Sequence, residues 1–298
     1  MPIGSDAVYE PANLKPLSAG VGVDVDYFFV SDQDDPKVDI FAPASWCPRA
    51  GGERHDGQLH LGDDVLVPDC NPPHTPNNCA AILQPDGRTL VQLGAMTRLE
   101  PGGPVWGYRY PDVDICGPGT EGAHGGSGLS SIGGTLRKGE LTSPDPIRHV
   151  LKMNVFARLY LYKEPPGYRW PAVKADGYAF DENSQIRYGG ENPKLQMGAL
   201  LAIPPEVQEE NVNLFSERAK KIFHALQDYG AYIVDDTAWG SYAFEVEAGA
   251  ERDLPSAAEL NQLIQLLQIV DNNVPDSIGG GGKPRVPFAP PLASPCGV

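Results

Sequence analysis

Ile147-Arg-His-Val-Leu-Lys-Met-Asn-Val-Phe-Ala-Arg-Leu-Tyr-Leu-Tyr162 alternates along its whole length. Ile147, His149, Leu151, Met153, Val155, Ala157, Leu159 and Leu161 fall on one face. Arg148, Val150, Lys152, Asn154, Phe156, Arg158, Tyr160 and Tyr162 fall on the other. A period of two marks a half-buried strand, and the apolar set lacks the 3.6-residue spacing of a helix. The second face is basic and aromatic in a chain of net charge −16. It reads either as a solvated surface or as a ligand-facing ladder, in which tyrosine rings stack on sugars and cations bind hydroxyls or carboxylates. His149, alone on the apolar face, reads as a buried, hydrogen-bonded residue ahead of a catalyst.

The surrounding sequence is also β-like. Val21–Val30 alternates, and Ala80-Ala-Ile-Leu and Thr89-Leu-Val-Gln-Leu flank the turn signal Asp86-Gly87. Val105–Tyr110 and Leu195–Ile203 read as further strands. The chain has 34 glycines and 30 prolines in 298 residues, a density of breakers that suits turn-rich β folds rather than helical bundles. Two helices stand out. Phe215, Ala219, Ile222, Phe223 and Leu226 share helical spacing, with Gly230 at the C-terminal stop. Ser256-Ala-Ala-Glu259 is a capping box that opens a second apolar stripe. The expected fold is mainly β, a jelly-roll-like β-sandwich with accessory helices near 214–229 and 256–270. An extended arm (1–20) precedes one domain (21–275), and a Gly/Pro-rich tail (276–298) follows it.

The acidic balance argues against nucleic acid and anionic membranes as partners. No run approaches the ~20 apolar residues of a membrane span. The start lacks a basic, then apolar, leader, but the loop-rich, acidic, cysteine-bearing chain reads as a mature secreted protein. Its five cysteines include no C-x-x-C pair. Cys70 and Cys79 bracket a loop that a disulfide could staple, and the pairing of Cys47, Cys116 and Cys296 is not assigned. The residues assign no oligomeric state.

No metal or cofactor is expected. His55, His60 and His74 lie among Asp56, Asp63 and Asp64 without a chelating spacing. The Asp32, Asp34, Asp35 turn lacks the EF-hand pattern, which leaves a structural calcium ion as the one open case. Gly282-Lys283 fails as a phosphate loop, because Ser277 and Pro284 stand where glycine and Ser/Thr are required. His124-Gly-Gly-Ser127 lacks the G-x-S-x-G elbow of serine esterases.

The richest stretch for chemistry is Gly122-Ala-His-Gly-Gly-Ser-Gly-Leu-Ser-Ser-Ile-Gly-Gly-Thr-Leu-Arg-Lys-Gly-Glu-Leu141. Glycine at this density marks close backbone approaches, with His124, Arg137 and Glu140 set among them. This stretch from Gly128, Ile147–Leu151, Tyr168-Arg-Trp-Pro-Ala and Gln227-Asp-Tyr-Gly-Ala-Tyr-Ile-Val-Asp-Asp236 together resemble an uncharacterised group of secreted bacterial β-rich proteins. Some of those sit beside carbohydrate-binding or adhesion modules. The resemblance covers about residues 120–240, singles out Arg137, Glu140, His149, Trp170 and Asp235, and implies a link to glycans. The expected function is a secreted glycoside hydrolase acting on a polysaccharide with paired carboxylates. Glu140 and Asp114 lead, Asp235 is third, and His149 tunes or replaces one of them. His124, Arg137, Arg148, Lys152, Arg158, Tyr160 and Trp170 would bind substrate. A lyase on a uronic-acid glycan and a non-catalytic glycan-binding or surface-structural module are the alternatives.

Overall fold

The computed structural model describes residues 1–42, 54–68, 77–237 and 239–289. Cys47, Cys70, His74 and Cys296 lie outside the described residues. The fold is mainly β. In chain order its strands are β1 (Tyr9–Pro11), β2 (Val21–Val30), β3 (Lys37–Ala42), β4 (Arg54–His60), β5 (Asn78–Leu83), β6 (Thr89–Thr97), β7 (Val105–Arg109) and β8 (Val113–Asp114). They continue with β9 (Leu151–Val155), β10 (Leu200–Ala202), β11 (Ala231–Asp236), β12 (Tyr242–Glu247) and β13 (Gln268–Val270). Three helices accompany them: α1 (Ala157–Tyr160), α2 (Glu217–Asp228) and α3 (Ala257–Leu266). The two longer helices fall where the capping and periodicity signals place them.

The chain divides into two compact units. Among the described residues the first takes Met1–Val23, Gly126–Gly128 and residues 133–289. The second takes Asp24–Gly125 and Leu129–Ile132.

In the first unit the strand order is β1-β13-β10-β11-β9-β12. β9 pairs in parallel with β11 and antiparallel with β12. All five of its residues are buried, as expected for a strand covered on both faces. The 16-residue strand expected over 147–162 is therefore only Leu151–Val155. After it the chain turns into the four-residue α1, which exposes Arg158 and Leu159 and buries Tyr160. Alternation misled here because a strand buried on both faces places Lys152 and Asn154 inside with Leu151 and Met153.

β11 carries the feature that matters most for the site. Its register against β9 runs Ile233 to Met153 and then Asp235 to Asn154, so Val234 is an extra residue in a bulge. The Val234 carbonyl accepts from Ser127 N–H at 3.1 Å. A bulge reverses which face the following residues present.

α2 begins at Ser216, whose hydroxyl accepts from Ala219 N–H, and buries Ala219, Ile222, Phe223 and Leu226. Gly230, at φ 77°, takes the left-handed position after its end. Phe215, placed on this stripe by spacing, instead precedes the helix and is exposed. α3 opens with the expected Ser256–Glu259 capping box. Glu259 also reaches α2: its Oε1 accepts from Phe215 N–H (2.9 Å), Ser216 N–H (2.8 Å) and Ser216 Oγ–H (3.0 Å). One carboxylate thus caps both helices. Although burial opposes ionisation, these donors hold its pKa at about 2.

In the second unit the order is β2-β5-β6-β7-β3-β4, with β8 on β6. The hairpin expected around Asp86-Gly87 is β5–β6. Asp86 Oδ1 accepts from the N–H groups of Arg88 (2.9 Å) and Thr89 (2.8 Å), which fixes the turn. The core includes Ile40, Leu61, Ile82, Leu93, Met96 and Val105. Arg98 is buried there too and donates to the carbonyls of Gly62, Val65 (3.2 Å) and Gly103 (2.9 Å). Among the described residues no helix is long and apolar enough to cross a membrane.

Candidate active site

The sequence-derived site residues do not form one constellation. Asp114 belongs to the second unit, is exposed, pairs with Arg88 and accepts from Cys116 N–H at 2.9 Å. The Arg88 bond holds its pKa below the usual carboxylate range. Cys116 is disulfide-bonded, its partner lying outside the described residues. Cys79 is instead a buried thiol, so the Cys70–Cys79 staple does not form.

Glu140, His149 and Arg137 do come together, in the first unit. Glu140 Oε1 lies 2.8 Å from His149 Nε2, and Glu140 Oε2 accepts from Arg137 N–H at 2.9 Å. His149 Nδ1 lies 2.8 Å from Val150 O. Lys221 on α2 donates to the carbonyls of Glu140 (2.5 Å) and Ser143 (2.8 Å), tying this loop to the helix. Burial works against the Glu140 charge, but His149 and Arg137 outweigh it and lower its pKa. Glu140 is therefore an ionised clip residue at neutral pH and is ill suited to donate a proton.

The expected binding ladder is also dispersed. Lys152 is 3% exposed and His124 is 2% exposed. Tyr160 is buried, its hydroxyl accepting from Lys15 N–H at 3.1 Å and its ring stacked on Tyr242 at 5.7 Å. Arg148 and Arg158 are exposed, and Trp170 is half-buried.

Asp235 is the candidate with a carboxyl neighbourhood. The β11 bulge brings its Oδ1 to the backbone of the glycine-rich stretch, where Gly126 N–H donates to it at 3.2 Å. An ideal Cβ on Gly126 would stand 3.1 Å from Asp235 Oδ1, 2.9 Å from Asp176 Oδ2 and 2.5 Å from Met197 Cε. A side chain here would press on Met197 and on both carboxylates, so glycine lets the backbone approach them closely. The two oxygens are thus within about 6 Å of each other.

Asp176 opens a turn, its carbonyl accepting from Ala179 N–H at 3.0 Å. Tyr188 Oη donates to its Oδ2 at 2.7 Å. Burial, and then the charge of Asp235, push its pKa up to about 7. The next strand residue, Asp236, accepts from Ala157 N–H (2.8 Å) and Tyr178 Oη–H (3.1 Å). Burial raises its pKa to about 7 as well. Burial first, and then the neighbouring carboxylates, raise the pKa of Tyr178 and Tyr188, so both phenols stay protonated donors. Trp239, three residues beyond Asp236, is 65% exposed, and Phe180 stands edge-on to Tyr188 at 6.1 Å.

The arrangement offers a carboxyl group that is protonated near neutrality and a second carboxylate within about 6 Å. The sequence analysis named Asp235 and not Asp176, and Tyr178, Tyr188 and Trp239 carried no signal of their own. The adjacent acids at the end of a strand were the one legible cue. No protein-family model matches the chain, and no curated protein or solved structure matches it.

Proposed function

We propose that the protein is a secreted glycoside hydrolase that cleaves a polysaccharide. The observation that carries this reading is the Asp176/Asp235 pair around Gly126, one member raised to about 7 by burial and by the other's charge. Glycosidic cleavage needs a protonated carboxyl group to protonate the leaving oxygen and an ionised one on the other side of the anomeric carbon. Asp176 takes the first role and Asp235 the second. Asp236, with Tyr178 on its Oδ2, keeps a third proton donor within the cluster. A spacing within about 6 Å favours the double-displacement route with retention of configuration. Trp239 supplies a flat, exposed face for a sugar ring. The disulfide at Cys116 favours an oxidising compartment.

The lyase and binding-module alternatives drew on the basic, aromatic ladder. With Lys152 and Tyr160 buried, that face loses a central cation and a ring, so hydrolysis is the better supported reading.

The test is incubation with a panel of neutral and acidic polysaccharides. Reducing ends and the absorbance of unsaturated uronic products are followed for the native protein, Asp176→Asn and Asp235→Asn. The expected result is new reducing ends without that absorbance, reduced about 10²–10⁴-fold in Asp176→Asn. Binding without cleavage would replace the hydrolase reading with the module, and cleavage unchanged in both variants would remove this site from the reaction.

A further inference from the structure

The second unit holds a different cluster that the hydrolase reading does not use. Asp26, Cys79 and His124 each offer a ligand atom, and these atoms all lie within 4.8 Å of one another. The residues are 0%, 7% and 2% exposed. Burying a carboxylate, a thiol and an imidazole together is costly unless they bind one another or a cation.

The fold builds this cluster from three separate segments. β2 and β5 pair in parallel with Asp26 directly opposite Cys79, so both side chains leave the same face. On the other side of β5, Cys79 faces Gly94 of β6. Because Gly94 has no side chain, the backbone at Ala123 can approach. A Cβ on Gly94 would stand 3.3 Å from the Ala123 carbonyl oxygen, and Cys79 Sγ lies 3.4 Å from that same oxygen. His124 N–H is held by Leu129 O at 3.0 Å, which sets the start of the glycine-rich loop. Asp26 and Cys79 thus come from paired strands and His124 from a pinned loop above them.

The geometry points to a buried structural site for one zinc-type divalent cation, held by an Asp26 carboxylate oxygen, the Cys79 thiolate and a His124 ring nitrogen. This donor set suits a borderline-soft cation and does not suit calcium, which takes oxygen ligands alone. Ligand atoms around tetrahedral zinc stand about 3.3–3.7 Å apart, so a separation of 4.8 Å would have to contract by about 1.1–1.5 Å, within the reach of side-chain rotation. A nucleophilic Cys–His–Asp role is disfavoured, since reactive thiols are partly exposed.

Because the site is enclosed, the cation would enter during folding. The test is therefore refolding of the whole chain with Zn²⁺ or with chelator, then gel filtration and elemental analysis. About one Zn²⁺ per chain is expected in the native sequence and in His55→Gln, an exposed histidine paired with Asp39. The metal should be lost in Cys79→Ser and His124→Gln. Co²⁺ refolding of the native chain should give a near-ultraviolet thiolate band. Should the variants fail to fold, the native protein still decides: its melting temperature should fall when it is refolded with chelator. A folded native protein that retains no zinc, a Co²⁺ form without the thiolate band, or equal zinc in all variants would overturn the proposal.

Discussion

Replacing Asp176 with Asn should flatten an unusual dependence of stability on pH. Asp176 and Asp236 titrate at about 7 in the folded chain and near 3.8 when exposed. A carboxyl whose folded pKa is raised contributes stability that is fully present below the unfolded value. That stability is lost as pH rises through the folded value, because the native state binds the extra proton between the two. Each such group has a limiting slope of about 1.4 kcal/mol per pH unit. With both half-buried and partly screened by solvent, about 2 kcal/mol per unit is a realistic sum between pH 5 and 7. The lowered carboxyls Glu140 and Glu259 act the other way, and their contribution disappears only as pH falls below about 4.5. Maximum stability should therefore lie near pH 5. Urea unfolding at half-unit pH intervals measures this, provided the denaturant slope stays constant. Asp176→Asn keeps an acceptor for Tyr188 and should roughly halve the slope, and the further change Asp236→Asn should remove most of the rest. Native stability that is level or rising from pH 5 to 7 would refute the assignment of raised carboxyls at this cluster.

Glu259→Ala should cost about 2–4 kcal/mol in thermal or urea unfolding, because it strands the Phe215 and Ser216 N–H groups and removes half of a capping box. A loss under about 0.5 kcal/mol would mean water replaces the carboxylate at no cost. Gly126→Ala should place a methyl group against Met197, Asp176 and Asp235 and lower any activity at least about 100-fold by spreading the carboxyls. An unchanged rate would separate Gly126 from the chemistry. Arg98→Lys should lose about 2–4 kcal/mol, since one ammonium cannot reach the Gly62, Val65 and Gly103 carbonyls together. Unfolding midpoints matching the native chain would show that those carbonyls need no fork.

What the sequence made legible follows from how local each signal was. The α2 stop at Gly230, the Ser256–Glu259 box and the Asp86-Gly87 hairpin each depend on a few adjacent residues, and each stands as read. The 147–162 alternation failed because its meaning depends on what covers the strand: β9 is central and buried on both faces, so polar and apolar positions go inside alike. The site was harder still. Asp235 was named, but its partner Asp176 is 59 residues away in a turn, and only the packing around Gly126 joins them. Asp26, Cys79 and His124 likewise meet through strand register and the bare Gly94, neither of which leaves a spacing pattern to read.

The extra residue in β11 also has a meaning for the history of such a chain. Val234 is the unpaired residue, so a strand without it would still set Asp235 opposite Asn154 and Asp236 opposite Val155, with both acids facing as they do now. What a single lost codon would remove is the Val234 carbonyl that accepts from Ser127 N–H, and with it one tie between β11 and the glycine-rich loop. A relative lacking that residue would keep both acids in register with β9 and lose only this tie, so the bulge can come and go in evolution while the facing of the acids persists.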